Sequence, residues 1–441
     1  MEPKKWTKAV LGAATAILLI LMALNAVIDP FVQYHSPLPA LEPYYTFSQE
    51  YAMYWLIGRA RHTPAEGAVL GSSLSNFISS NKLSQLSGKK IVPLKKSMGR
   101  PDVYTLFLRE SFKRNRLQIV YYEITFPHLS EKYPEEIPRY LYNSNPFDDV
   151  KYLLNKEVLG MSTYIVSGWA SDALDTNHKK QRERQAWNRE LFEVDRTQLS
   201  SHYSTLTVAR SLYVRHNKVA DKHSVIAYRA NASEAVEKNI IPFLEKYPHT
   251  RFVFIVPCIS ILNTYDQVRE GTAGDYLGIY KDLMLRLLQY DNAEIHMFSD
   301  VEGFVDNLDN YKDRVHYCPA GGDLIIDGLK SGKYRITPQN IDQRLAHQKA
   351  LAERFQVSFL KEGFKGEDVL ALNRQLIALG YDCPATVEYD KRTTAAVARF
   401  QADYHLPVTG IATADTQALL QELSRQTTDP HSGANPRRSS Q

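Results

Sequence analysis

Cysteine is scarce in this chain of 441 residues: there are three, Cys258, Cys318 and Cys383. None stands at ligand spacing from another, and the 13 histidines contain no His-x-x-x-His pair, so no metal centre is expected and no cofactor is implied. A surplus of one charge is also missing. The formal net charge is +4 with the basic residues scattered, which lacks the concentrated footprint of a nucleic-acid binder. Paired carboxylates in a recognisable frame are absent too, which argues against a wall-cleaving glycosidase. Tyrosine is plentiful at 27 residues, and its plain reading is core edges and surface.

Long apolar runs are limited to the N-terminus, where Lys4, Lys5 and Lys8 precede an uncharged stretch from Ala9 to Ile28. About 20 apolar residues span about 30 Å of hydrocarbon, and the leading lysines keep that end in the cytoplasm. A single-pass anchor over residues 1–30 is therefore expected, with everything after Asp29 outside the cytoplasm. A cleaved signal peptide is the competing reading, since "ALNA" supplies small residues near the end of the run. The run exceeds the core of a usual signal peptide, about 7–15 residues, which favours the uncleaved anchor.

Beyond the anchor, short β-type runs alternate with helical stretches. The runs cover 67–72, 90–97, 117–126, 251–257 and 293–298, and the clearest helical segments cover 102–115, 233–247 and 276–290. Such alternation predicts an α/β fold over 31–345: a doubly wound, mostly parallel sheet covered on both faces. Residues 130–230 break the rhythm and read as a mostly helical insertion over the C-terminal edge of the sheet. A charged helical stretch, 340–356, and a linker over 346–365 lead to a small three-helix unit at 366–423. In that unit Gly380 ends the first helix and Asp390 caps the second. The polar tail, 424–441, reads as disordered.

Two distant segments carry the chemistry. In "GAVLGSSLSNF" (67–77) an apolar strand breaks at Gly71 into Ser72 and Ser73, which is also a common turn and helix cap. In "NLDNYKDRVHYCPAGG" (307–322) Asp313 and His316 stand three apart, so the carboxylate can orient the imidazole. A serine hydroxyl needs a base to take its proton, and the base needs a group that fixes its tautomer. Ser73, His316 and Asp313 fill these roles. Asp-x-x-His alone is a weak pattern; the specificity lies in the pairing.

Together, Gly71-Ser72-Ser73-Leu74-Ser75 and the Asp-x-x-His block make the α/β core resemble the SGNH hydrolase superfamily. The Gly-Ser-Ser form, "VIDPFVQY" after the anchor and "HYCPAGGDLIIDGL" after the histidine are similar to its membrane-anchored DltD-like and alginate-acetylation-like branches. That resemblance implies a bacterial envelope protein working beside a membrane-bound O-acyltransferase on acyl groups of envelope polymers. It implies Ser73 as nucleophile, and Ser73 and Gly99 as backbone oxyanion donors. The superfamily's Gly-x-Asn-Asp block has no counterpart after "IVYYEITF". The terminal module resembles a bacterial peptidoglycan-binding domain through "LNRQLIALGY", "RTTAAVARFQADYHLPVTG" and "ATADTQALL". Val387 and Asp390 stand where that family carries glycines, so a spacer that no longer binds glycan remains open.

The resulting expectation is a membrane-anchored, periplasmic serine acyltransferase or esterase acting on acetyl or D-alanyl groups of cell-wall or envelope glycan. Its partners are peptidoglycan, the bilayer and a membrane-bound acyltransferase. The rival is a non-catalytic, wall-tethered scaffold for that acyltransferase. In the resembled family Cys258 and Cys318 tend to be proline and serine, and both lie near the histidine. A Cys258–Cys318 bridge fixing the histidine loop is accordingly expected, against two free thiols, with Cys383 the odd one out.

Overall fold

The computed structural model describes residues 3–45, 49–126, 129, 137–143, 145–174, 202–212 and 222–428. Six strands form one sheet in the order β2-β1-β3-β4-β5-β6: β1 Gly67–Gly71, β2 Ile91–Lys95, β3 Ile119–Glu123, β4 Arg251–Val256, β5 Ala293–Met297 and β6 Arg335–Ile336. The first five are mutually parallel, and β6 runs antiparallel to β5. All five parallel strands fall within the expected runs. The two-residue β6 was not expected, because two residues carry no period.

Strand residues alternate between two cores, as a pleated sheet buried on both faces requires. Leu70, Tyr122 and Phe254 face one core, Val69, Tyr121 and Val253 the other. The first is covered by α2 (Ala52–His62), α4 (Pro101–Arg114), α8 (Lys222–Asn239), α9 (Ile241–Lys246) and α11 (Ala273–Leu287). The second is covered by α3 (Ser80–Ser87), α10 (Leu262–Arg269) and α12 (Pro319–Ser331). The helix expected at 233–247 is two helices, since Pro242 sits in the first turn of α9 and cannot donate into a continuous ladder.

At the N-terminus, α1 (Pro3–Ile28) is the one helix among the described residues long and apolar enough to cross a membrane. Its exit is knotted by Asp29, a buried residue held at φ 44°. Asp29 accepts the N–H groups of Gln33, Tyr34 and His35 at 2.9, 2.7 and 3.1 Å and the Tyr152 hydroxyl at 2.8 Å. Tyr152 belongs to α5 (Val150–Leu153), and α6 (Lys156–Ala173) continues from it and packs its Val158 and Ile165 into the same cluster as Ile28 and Phe31. Within the expected insertion, these helices and α7 (Thr205–Ser211) are described; much of the rest of 130–230 lies outside the described residues.

At the other end, α13 (Ile341–Arg354) leads to the three-helix unit, α14 (Glu367–Ala378), α15 (Lys391–Asp403) and α16 (Ala414–Thr428). Gly380 takes φ 83° after α14, and the Asp390 side chain accepts the Thr393 N–H at 2.8 Å. The helix α16 continues to Thr428, five residues into the segment expected as tail; the remainder of that tail lies outside the described residues. The expected linker is not slack. Phe359 and Leu360 are buried, and Phe359 packs with Ile411 in the second core of the sheet.

Candidate functional site

In the order 2-1-3-4-5 the chain leaves β1 in one direction and β3 in the other, so the carboxyl ends of β1 and β3 flank a topological switch point. Open α/β sheets bind their ligands at such a point. Ser72 and Ser73 follow β1 directly. Gly71 is required there: a Cβ on it would meet Ser75 Oγ at 1.9 Å, because the chain folds back into a 3-10 turn over Ser73–Ser75.

The distant histidine reaches this turn. Ser73 Oγ lies 2.8 Å from His316 Nε2, and His316 Nδ1 lies 2.7 Å from Asp313 Oδ2. Since a carboxylate only accepts, Nδ1 carries the proton, and Nε2 is left to accept from the serine hydroxyl. Asp313 also accepts the backbone N–H groups of Val315 and His316, at 2.9 and 2.8 Å. Burial pushes its carboxyl up, yet the hydrogen bond and charge of His316 and these two N–H donors outweigh it and hold the group below the ordinary Asp value. The His316 and Asp313 side chains keep 22% and 29% of their surface, so the relay is reachable from solvent.

Four buried groups hold this geometry, none singled out by the sequence. Glu123, at the end of β3, accepts the Ser72 N–H at 2.8 Å, the Ser72 hydroxyl at 2.7 Å and the Thr125 hydroxyl at 3.0 Å. Lys95, at the end of β2, donates to the Ile78 carbonyl at 2.6 Å and so ties down the loop after Ser73. Tyr317 donates to the Leu74 carbonyl, and Tyr311 to the Cys258 carbonyl at 2.7 Å. A signal existed for Glu123: it is the one acidic residue in the otherwise apolar strand "IVYYE". For the tyrosines there was none, and their plain reading as core edges and surface missed the hydroxyl.

Two expected features are corrected. The Gly99 N–H is committed to the Lys96 carbonyl at 2.8 Å, closing a tight turn in which Met98 takes φ 57°. A Cβ on Gly99 would meet the Tyr104 ring at 2.6 Å, so the glycine here answers to packing, and it is not presented as an oxyanion donor. The Cys258–Cys318 bridge is not formed: all three cysteines are free. Cys258 is wholly buried with Sγ turned to the Gly321 carbonyl at 3.9 Å, and burial pushes its thiol well up. The loop is fixed without a disulfide. Tyr311 and Tyr317 form an antiparallel bridge, and the Cys318 N–H donates to the Asn310 carbonyl at 2.7 Å, making residues 310–318 a closed hairpin with Asp313 and His316 at its tip.

Among known protein families, residues 365–420 match the one described as putative peptidoglycan binding domain. No curated protein and no solved structure matches the chain. The C-terminal module thus associates this protein with cell-wall glycan, and α1 is a weak candidate membrane span. No group of three or more metal-ligating side chains occurs among the described residues.

Proposed function

We propose that this chain is a membrane-anchored, extracytoplasmic serine acyltransferase or esterase of the SGNH type, acting on O-linked acyl groups of cell-wall or envelope glycan. The carrying observation is the continuous relay from Ser73 through His316 to Asp313 at the carboxyl edge of a parallel sheet. As Ser73 Oγ attacks the ester carbonyl, its proton passes to His316 Nε2, and Asp313 stabilises the imidazolium. Collapse of the tetrahedral intermediate breaks the ester C–O bond, and His316 returns the proton to the leaving alcohol. A sugar hydroxyl or water then attacks the acyl-serine and gives its proton to His316; collapse of this second intermediate breaks the acyl–Ser73 bond as His316 returns the proton to Ser73 Oγ, releasing the new ester or the free acid. Transfer and hydrolysis differ only in that acceptor.

Labelling of the full-length chain by a fluorophosphonate probe tests the reading. The native chain should label, and Ser73→Ala should not. Removing His316 should cost about as much as removing Ser73, and the double variant little more, because members of a relay act as one unit. Asp313→Asn should keep more reactivity, since the base survives. Strictly additive losses, or labelling of Ser73→Ala, would sink the assignment.

A second reading is favoured by Gly99. Loss of one oxyanion donor typically costs about 100–1000-fold in rate, and the Gly99 N–H is already bonded to Lys96. A wall-tethered scaffold for a membrane-bound O-acyltransferase, its own relay idle, fits that feature and predicts no labelling in the native chain.

A further inference from the structure

Between the C-terminal module and the α/β body lies a cleft of about 530 Å³. One wall takes the start of α7 and the turn Asp306–Asp309; the other takes Leu406, Pro407 and Thr409 with the first turn of α16; Phe355 and Gln356 also line it. Its size suits a small-molecule site, about 300–1000 Å³.

The lining chemistry is selective. Asp306, Asp309 and Asp415 bring three carboxylates, and no lysine or arginine is among the lining residues described. Amides and hydroxyls from Asn307, Gln356 and Thr413 alternate with apolar surface from Leu206, Phe355 and Pro407. Carboxylates without cations repel uronates and phosphates but accept hydrogen bonds from hydroxyl and amide N–H groups. Sugar rings offer those donors together with apolar faces.

The cleft is also joined to the serine relay. Its turn Asp306–Asp309 enters the hairpin closed by the bond from the Cys318 N–H to the Asn310 carbonyl, at 2.7 Å, and the tip of that hairpin carries Asp313 and His316. The far wall belongs to the module that matches a peptidoglycan binding domain.

We infer that this cleft binds an uncharged N-acetylhexosamine glycan and rejects polyanionic envelope polymers. The inference rests on the wall-association part of the proposed function and is independent of the serine chemistry. Bound here, a glycan is held at the base of the catalytic hairpin. Both walls are needed, so the site belongs to this arrangement of module and body rather than to the module alone.

The test is a binding titration of the full-length chain in detergent with tetra-N-acetylchitotetraose and, separately, a mannuronate tetramer. Chitotetraose should bind and the uronate should bind at least about tenfold more weakly, a difference of about 1.4 kcal/mol. Ala414→Trp, an exposed position on the cleft wall, should weaken chitotetraose binding about tenfold or more. Asp415→Lys should narrow the gap between the two sugars, and Val408→Trp, exposed on the same loop but outside the lining, should bind as the native chain does. No chitotetraose binding by the native chain, equal binding of both sugars, or native binding by Ala414→Trp would each overturn the proposal. Asp415→Lys decides should Ala414→Trp fail to fold, unchanged discrimination counting against the site. The titration reads binding without turnover and fluorophosphonate labelling reads the serine, so failure of the cleft and failure of the relay are told apart.

Discussion

Glu123 fixes the serine loop without itself touching Ser73 Oγ or His316. Both of its carboxylate oxygens are spent on the backbone and side chain of Ser72, with the Thr125 hydroxyl sharing one of them. Ser72 in turn accepts the Leu74 N–H at 3.2 Å, so the turn that presents Ser73 is set from the buried end of β3. Glu123→Gln keeps the volume but turns one acceptor into a donor facing another donor. It should slow fluorophosphonate labelling on the order of 10–100-fold, the scale expected for small misplacements of a reacting group, and Glu123→Ala should slow it further. The check is the labelling rate beside the melting temperature: a rate unchanged in a folded variant would remove Glu123 from the machinery. The Ser73, His316 and Asp313 grouping was legible in the sequence because its chemistry needs three residue types in two recognisable blocks. Glu123, Lys95 and the two tyrosine hydroxyls were not, because what they do depends on tertiary proximity across 17 to 243 positions, which no local spacing encodes.

At the scale of elements, the parallel strands were legible as short β-type runs between helical stretches, mostly apolar in β1 to β4, while the edge of the sheet was not. Glu294 on β5 marks that edge: its carboxylate meets Arg251 of β4 at 2.5 Å, His296 at 3.5 Å and Arg335 of β6 at 3.9 Å. Burial pushes the carboxyl up, but hydrogen bonds from His296 and Arg251 and their charge prevail and bring it down to about 2, from 4.5. A depressed folded value means that the unfolded chain binds the proton first as pH falls. The stabilisation is therefore complete above pH 4.5 and is lost as pH falls toward 2. Glu294→Gln should cost about 1–3 kcal/mol at pH 7, below the full linkage value because Arg251 is largely exposed. In denaturant titrations the gap between native and variant should shrink between pH 5 and pH 3. A gap independent of pH would show that the carboxylate's charge contributes nothing.

Over the whole molecule, an apolar N-terminal helix, a sheet and a module that matches a peptidoglycan binding domain are joined by packed segments at both ends. Asp29 fixes the exit of α1 to α5. In the proposed topology, which follows from Lys4, Lys5 and Lys8 ahead of the apolar run, a reporter active only outside the cytoplasm, fused after residue 60, should be active and remain in the membrane fraction at full length. A released product shortened by about 26 residues would instead mark cleavage of a signal peptide. The other junction was read from sequence as a linker because its composition is charged and it lies between two periodic regions. What holds it is tertiary: Phe359 lies in the body's second core, Leu360 pairs with Ala412, and the Lys361 ammonium donates to the Ala209 carbonyl at 2.8 Å and to that of Leu212. Lys361 would be an open trypsin site in a slack linker, yet here its side chain is engaged with the end of α7. Limited trypsin digestion should therefore leave the body and the C-terminal module joined. Lys361→Ala removes two hydrogen bonds from a charged donor, and a loss of about 1–2 kcal/mol would raise the locally opened population roughly 5–30-fold. Cleavage at the neighbouring Arg354 and Lys365 should accelerate by that factor if opening limits the cut. Rapid cleavage between body and module in the native chain would mean that the two are tethered but not docked, and the cleft between them would then have no fixed walls.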